Sequence, residues 1–163
     1  MSFDVENLPR KFTGSRDARI LALRFNRTVP IFTTEEPFSF VAKVRASQNL
    51  SKIRFSMTIF AADGTPVGSC FSPESEGMSS GEIAETEIVL QAPRLAPGQY
   101  YCGVAIGKGN HRTGHVDYDV VLDTLHFEVK AEAGEHGVLA SWSRGWGVIV
   151  FPDLARGGLR KMV

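Results

Sequence analysis

The sequence predicts an all-β fold, an antiparallel β-sandwich of the immunoglobulin-like kind. Short runs that alternate between apolar and polar residues recur along the chain, turn residues separate them, and no segment has a convincing helical period. A second observation is the stretch containing Pro97, Gly98 and Tyr100, which is typical of a sandwich corner. The Pro-Gly step supplies the backbone angles of a tight turn, and the tyrosine can pack inward while its hydroxyl group bonds back to the turn.

Length, composition and charge limit the function. With 163 residues, 43% of them hydrophobic, the chain suffices for one well-buried domain and is too short for two. Its 18 basic and 18 acidic residues leave no net charge, which argues against broad attraction to nucleic acid or to an anionic membrane. The sequence has no secretory signal and no apolar run of about 18 residues, so we expect a cytoplasmic protein without membrane insertion, or a fragment of something larger.

Composition and the alternation of apolar and polar residues predict the structure of the first 60 residues or so. Residues 1–15 are polar and mixed in charge, as expected of a linker or of a cut N-terminus. An N-terminal strand is predicted within residues 18–25. Residues 38–45 and 53–59 then alternate with the period of two that a half-buried strand requires.

The middle of the chain predicts a hairpin, a loop and three further strands. Residues 62–66 are a turn signal, so residues 67–71 are expected to fold back on residues 52–60. Residues 72–81 are rich in Ser, Gly and Glu, which predicts a mobile loop. Further strands are predicted at residues 83–90, 99–106 and 125–130. Strands at this spacing favour an immunoglobulin-like sandwich over a barrel.

The two cysteines, Cys70 and Cys102, both lie in apolar runs. Buried free thiols in a reducing compartment and a disulfide across the sandwich both fit such positions, and we favour the free thiols. Neither cysteine has a basic neighbour that would stabilise a thiolate, so both are expected to be core residues and not nucleophiles.

The C-terminal part of the sequence contains a predicted strand that has two possible partners. A Gly-containing spacer at residues 133–137 precedes an apolar run, which can pair with its own sheet or with the sheet of another copy. For exchange in a dimer the expected residues are Trp146, Val148, Val150 and Phe151. Trp142 fits either this interface or stacking on a sugar ring. Residues 153–163 have little to bury and are expected to fray.

Four stretches occur along the chain in a recognisable order. They are the strand 55–60 with Asp63 and Gly64, the run Leu-Ala-Pro-Gly-Gln-Tyr at 95–100, Leu-His-Phe-Glu-Val at 125–129, and Gly-Val-Leu at 137–139 followed by Trp142, Trp146 and Gly147. In this order they resemble the C-terminal domain of Wzt, the nucleotide-binding subunit of ABC transporters that export bacterial O-antigen polysaccharides. The resemblance covers residues 16–152, which are the predicted sandwich domain.

The resemblance implies a carbohydrate-binding module with an immunoglobulin-like sandwich, which forms a homodimer by exchanging its C-terminal strand. It also implies recognition of the capped, non-reducing end of a finished O-polysaccharide in the cytoplasm, at the inner face of the inner membrane, where the parent protein contacts the transporter's membrane subunit. Caps in the family are methyl, phosphate or an acidic sugar of the Kdo type. No cofactor is implied for this module.

One departure from a complete Wzt limits what the resemblance implies. The chain has no GxxxxGK[ST] sequence, so it lacks the usual loop that binds nucleotide phosphates, and Gly107-Lys108-Gly109 is too short to replace it. We therefore expect an isolated module or a relative attached to another enzyme, and no coupling to ATP follows from these residues.

A candidate carbohydrate site follows from the faces of the strands. If Tyr100 and Cys102 point into the core, Tyr101 points outward together with Gly103 and Ala105. The outward residues of the neighbouring hairpin are Arg54, Ser56 and Thr58. An aromatic ring, short hydroxyl groups and an arginine around small residues form a shallow trough that suits a sugar. The alternative is an ordinary outer face with small polar residues.

Residues 108–118 are predicted to form a binding loop beside this trough. The candidate sugar-binding residues there are Lys108, Asn110, His111, Arg112, His115 and Tyr118, and His126 is expected to join them from the next strand. Arginine and protonated histidine suit a carboxylate or a phosphate, hence an acidic terminal sugar. The alternative is a solvated loop whose charges balance Asp117 and Asp119, with an exposed His126. Lys43 and Arg45 belong to the opposite sheet and are expected to be a solvated face.

Metal binding and catalysis are not predicted. His111 and His115 have a helical spacing, but Gly109 and Gly114 argue against a helix there. Nearby carboxyl groups could serve a glycoside hydrolase, yet nothing in the sequence raises the pKa of one of them or fixes their separation. The sequence thus favours a non-catalytic carbohydrate-binding domain, with a structural immunoglobulin-like protein-interaction domain as the alternative and a sugar-processing enzyme as a weaker one.

Overall fold

Two β-sheets form the part of the chain that the computed structural model describes, residues 2–5, 8–11, 14–132 and 141–162. The strands are β1 (Ser2–Asp4), β2 (Ala18–Arg24), β3 (Ile31–Thr33), β4 (Phe38–Ala46), β5 (Leu50–Ala61), β6 (Pro66–Phe71), β7 (Ser75–Met78), β8 (Ile83–Leu90), β9 (Gly98–Asn110) and β10 (Gly114–Lys130). The first sheet has the order β1-β2-β4-β8 and the second β3-β10-β9-β5-β6, with β7 also paired to β5. Only the β3–β10 pair is parallel among these strands. The all-β sandwich prediction is confirmed.

The alternating pattern of the strands builds the core between the sheets. In β4, Phe38 and Phe40 are buried, whereas Lys43 and Arg45 lie exposed on the outer face of the first sheet, as predicted. The ring of Phe38 packs 4.6 Å from that of Phe127 on the second sheet. Aromatic pairs of this kind add to the free energy gained by burying their area.

The corner predicted before β9 is present. The Tyr100 ring is 4% exposed, packs 5.5 Å from the Phe127 ring, and donates its hydroxyl hydrogen to the Ala96 carbonyl oxygen at 2.6 Å. Because side chains alternate along a strand, the inward Tyr100 also directs Cys102 and Val104 into the core. Tyr101 and Gly103 consequently face outward.

The prediction of a loop at residues 72–81 is wrong in part, because this stretch contains β7. The strand pairs with the first half of β5 through Leu50–Met78 and Lys52–Glu76. Met78 is buried, and a Cβ atom on Gly77 would overlap the Leu50 carbonyl oxygen, so glycine permits the close approach. The polar composition conceals this strand in the sequence.

The predicted binding loop at residues 108–118 is also wrong. Strand β9 continues to Asn110 and β10 begins at Gly114, so only residues 111–113 connect them. The two strands pair along this whole length as a long hairpin. Candidate residues expected on a loop therefore lie on strands or at the tip of a hairpin.

Part of the expected N-terminal linker pairs with both sheets. Strand β1 adds to the edge of β2. Residues 9–11 and 15–16 then follow β10, where the Lys11 amide donates to the Val120 carbonyl at 3.2 Å and the Leu122 amide to the Pro9 carbonyl at 2.9 Å. The domain boundaries 1–15, 16–152 and 153–163 stay predictions.

The C-terminal segment lies against its own chain. Ile149 bridges to Leu95, and the Ala96 amide donates to the Val148 carbonyl at 2.8 Å. Residues 152–162 are exposed, and the predicted spacer at 133–137 lies outside the described residues. Among the described residues there is no helix with the length and apolar character needed to span a bilayer.

Both cysteines are free thiols that face the core. Cys102 is fully buried and Cys70 is half-buried. Burial raises the pKa of both thiols, most strongly that of Cys102, so neither is readily converted to a nucleophilic thiolate.

The corner hydrogen bond yields a test of the fold. We expect Tyr100→Phe to lower the free energy of unfolding by about 1 to 2 kcal/mol, because it leaves the buried Ala96 carbonyl without its partner. Urea denaturation measures this loss. Tyr101→Phe, on the outer face of the same strand, is the matched control and should change the free energy by less than about 0.5 kcal/mol. Equal effects of the two substitutions would contradict the role of the corner.

Candidate functional site

The outer face of the second sheet carries a groove of about 240 Å³. Its floor is low because the outward-facing residues of β9 there are Gly103 and Ala105, which have little or no side chain. Three hydroxyl residues flank this floor, with the Thr58 and Ser69 oxygens 2.7 Å apart and Ser56 on the same strand as Thr58. The remaining lining residues are Lys11, Met57, Phe60, Phe71, Val104, His115, Asp117, Val120 and Leu122.

A row of stacked rings extends from Phe60, which lines one end of the groove. The Phe60 and Tyr101 rings lie 5.1 Å apart at 15°, and the Tyr101 and His126 rings lie 5.4 Å apart at 20°. The three residues come from the neighbouring strands β5, β9 and β10. His126 also contacts the Asp123 carboxylate, with Nε2 and Oδ1 separated by 2.6 Å. This contact fixes the orientation of the imidazole ring.

Phe71 forms the opposite end together with two histidines. Its ring centroid lies 5.4 Å from that of His111 and 5.8 Å from that of His115. The hairpin, and not a helix, therefore brings both histidines against Phe71, and His115 also lines the groove. Among the described residues, no group of three or more His, Cys, Asp or Glu side chains is arranged to hold a metal ion.

Arg54 lies on the outer face of β5 but is completely covered. Its guanidinium donates to the Asp117 carboxylate at 2.6 Å, to the Gly109 carbonyl at 2.9 Å and to the Ser56 hydroxyl at 3.3 Å. The Phe71 ring packs 5.2 Å above it. We expected the Arg54 guanidinium to be accessible to a ligand, whereas in the structure the whole residue is 0% exposed. Its contacts instead position Ser56 and Asp117.

Two glycines explain why the arginine is covered. A Cβ atom on Gly107 would overlap the Val116 carbonyl oxygen, and one on Gly109 would overlap the Gly114 carbonyl oxygen. Gly109 also has a φ of +74°, which favours glycine. The absence of these Cβ atoms lets β10 approach the outer face of β9, and Asp117 thereby comes to lie over Arg54.

The remaining predicted residues divide between the hairpin tip and the core. Asn110 shapes the tip, because its side-chain oxygen accepts hydrogen bonds from the Arg112 amide at 2.8 Å and the Thr113 amide at 3.1 Å. Lys108 and Arg112 are exposed there. Tyr118 was expected on the loop, but its ring is 4% exposed in the core and its hydroxyl donates to the Lys52 carbonyl at 3.2 Å.

Irregular pairing along β10 determines which side chains reach the groove. The register with β9 shifts between Asp117 and Asp119, between Val121 and Thr124, and between Thr124 and Phe127. Such bulges change the direction of side chains and occur often beside functional sites. Here they expose both Asp123 and His126 on the outer face, next to Tyr101.

The sequence interpretation missed several residues of the groove. The alternation that directs Ile59 inward already directs Phe60 outward, and the same argument applied to the hairpin partner would have found Phe71 and Ser69. For Lys11 no signal exists, since its segment has neither a strand period nor a motif.

The fold defines a domain of the β-sandwich class, with a groove on the outer face of its second sheet. The sequence model of the Wzt C-terminal domain family matches residues 11–140, and the chain belongs to this family. A solved crystal structure of the C-terminal domain of Wzt has a similar fold, with a TM-score of 0.65 and 20% identity, over 85% of this chain and 89% of that chain. Comparison with curated proteins finds no match.

The buried ion pair of the site leads to an asymmetric prediction. We expect Asp117→Asn to lower the free energy of unfolding by about 3 to 5 kcal/mol, because it leaves the Arg54 charge buried without a counter-ion. Arg54→Met should cost about 1 to 2 kcal/mol, since the Asp117 side chain is 23% exposed and its charge can be hydrated. Urea denaturation of both variants measures the two values.

Asp123→Asn is the matched control for these variants. Asp123 lies on the same strand, but its side chain is 55% exposed, so the loss should be below about 1 kcal/mol. A loss of similar size for Asp117→Asn and Asp123→Asn would show that the Arg54 charge does not depend on this partner.

Proposed function

We propose that the groove binds the capped, non-reducing end of a bacterial O-antigen polysaccharide, and that the domain selects completed chains for export by an ABC transporter. Membership of the Wzt C-terminal domain family is consistent with a carbohydrate-binding role in O-antigen transport. One observation carries the proposal: the groove combines a floor without large side chains, a cluster of hydroxyl groups and an aromatic end.

Each of these features suits a different part of a sugar. The C–H faces of a pyranose pack on aromatic surface such as that of Phe60, and the Ser56, Thr58 and Ser69 hydroxyl groups supply short donors and acceptors for sugar hydroxyls. Gly103 leaves the space that a ring occupies. An end that lacks the cap would leave polar groups of the groove unpaired, at a cost of about 1 to 3 kcal/mol per group.

The charges around the groove support an acidic cap of the Kdo type. Arg54 already neutralises Asp117. His111 and His115 flank one end, and Lys108 and Arg112 extend from the hairpin tip beside them. Histidine and arginine can pair with a carboxylate, which neutral caps such as a methyl group do not offer. The site as proposed needs selective binding only and no catalytic step.

The proposed binding can be tested with a substitution in the floor. Gly103→Val should weaken binding of a capped polysaccharide about tenfold or more, because its methyl groups would rise into the space of the sugar ring. A Cβ atom there makes only ordinary contacts, 3.5 Å from Phe60, so the strand tolerates it. NMR titration with capped and uncapped polysaccharide, followed at Tyr101 and residues 108–118, measures both affinities.

Gly68→Val is the matched control, since a Cβ atom at Gly68 has no neighbour within 4 Å and the residue does not line the groove. It should bind like the unchanged chain. If neither polysaccharide perturbs these signals in the unchanged chain, the carbohydrate proposal fails. The alternative, a protein-interaction domain without a sugar site, then gains support from the exposed Trp146 and Phe151.

We also propose that the domain is a homodimer that exchanges its C-terminal segment and, through its parent protein, contacts a transporter's membrane subunit at the inner face of the inner membrane. Two observations support the exchange. The segment around Ile149 is attached by one bridge, at Leu95, and by hydrogen bonds to Arg94 and Ala96, which another copy could supply equally well. Trp146 and Phe151 are 65% and 77% exposed, as residues awaiting a partner surface would be.

The dimer proposal predicts the effect of truncation. The full chain should elute with twice the mass of one chain in size-exclusion chromatography with light scattering, and a chain ending at Gly147 should elute as a monomer, because it lacks the exchanged segment. Removal of residues 155–163 alone is the control and should leave the dimer intact. A dimer that survives truncation at Gly147 would place the interface elsewhere.

A further inference from the structure

The segment before β2 forms one wall of the groove. Residues 9–11 and 14–16 of this segment lie beside β10, with hydrogen bonds from the Ser15 amide to the Asp117 carbonyl at 3.1 Å and from the Arg16 amide to the Tyr118 carbonyl at 2.9 Å, in addition to those of Lys11 and Leu122. The segment thus acts as an added edge strand. It brings Lys11 to the groove from a position more than 40 residues away from any other lining residue.

Two contacts hold this segment in place. The Arg10 side chain donates to the Ile20 carbonyl at 2.9 Å and lies 3.5 Å from the Asp119 carboxylate, which is itself bonded to the Ile20 amide. Gly14 lies so close to β10 that a Cβ atom would be 2.7 Å from the Tyr118 carbonyl oxygen. That oxygen belongs to the backbone of a paired strand and has little freedom to move.

Lys11 differs in charge from the rest of the lining. It is the only lysine or arginine among the described residues that line the groove, and Asp117, the only carboxylate there, is paired with Arg54. The histidines at the Phe71 end carry a full charge only when protonated. A ligand carboxylate in the groove can therefore pair with the Lys11 ammonium group.

We propose that Lys11 binds the acidic group of the sugar, and that sugar binding thereby fastens residues 9–11 to β10. This inference rests on the proposed function, because it assigns a role within the same groove. By reciprocity, if docked Lys11 tightens sugar binding by a given factor, the sugar stabilises the docked segment by the same factor. Occupancy of the groove is thus transmitted to the N-terminal side of the domain.

Two probes separate the charge from the sugar ring: the methyl glycoside of Kdo, and the same glycoside with its carboxyl group reduced to an alcohol. In the full chain, Lys11→Gln should weaken binding of the acidic glycoside about three- to fivefold, the range of a partly exposed ion pair, and leave binding of the reduced glycoside unchanged. Lys43→Gln, an exposed lysine on the opposite sheet, is the control and should change neither affinity.

Amide hydrogen exchange tests the coupling itself. At saturation the acidic glycoside should slow exchange of the Lys11 and Leu122 amides about three- to fivefold, the factor set by reciprocity, and leave the Ala46 amide of the first sheet unchanged. Gly14→Ala should displace the segment and reduce the preference for the acidic over the reduced glycoside, as Lys11→Gln does.

The outcomes distinguish this inference from the proposed function. Binding of the acidic glycoside that is equally strong in Lys11→Gln, or that leaves exchange of the Lys11 and Leu122 amides unaltered, overturns the inference and leaves the carbohydrate site standing. If neither the two glycosides nor the polysaccharides bind to the unchanged chain, both proposals fall.

Discussion

The burial of one positive charge is the constraint on which the site depends. The Arg54 guanidinium is fully covered, and a buried charge without partners costs several kcal/mol. The Asp117 carboxylate, the Gly109 carbonyl and the Ser56 hydroxyl together compensate this cost. Since two of these partners belong to the β9–β10 hairpin, a slip of its register would leave the charge buried and unpaired. The charge therefore fixes the register of the hairpin against β5.

The position of the hairpin in turn determines the shape of the groove. Phe71 packs on Arg54 and against His111 and His115, so the same charge holds one end of the groove. At the other end, the bulges of β10 bring His126 onto the Tyr101 ring. Strand backbones fix the floor between the two ends. A ligand would thus enter a groove that is largely preorganised, and little conformational entropy would be lost on binding.

The sequence predicted those features that depend on residues close together along the chain. The corner at Tyr100 and the outward position of Tyr101 follow from one turn and a period of two. The structure of the hairpin tip could not be predicted in this way, because its polar, glycine-rich composition is typical of a loop. In the structure, Gly107 instead permits two strands to come into contact. At a bulge the period itself fails, and Tyr118 and Asp119 are consecutive residues that are both buried. A prediction based on alternation could not place Tyr118 in the core.

The two aspartates on either side of that bulge explain why distant parts of the chain meet at one groove. Asp117 is directed outward to Arg54 on β5, and Asp119 is directed to the Ile20 amide on β2 and to the Arg10 side chain. One strand thus ties the hydroxyl-bearing strand, the first sheet and the segment that carries Lys11 to a common position. Because β10 supports these parts through its backbone and its buried carboxylates, changes in β10 should alter the shape of the groove even where its side chains do not line it. Under the proposed function, discrimination between sugar ends would therefore depend on backbone pairings within the domain as well as on the side chains that line the groove.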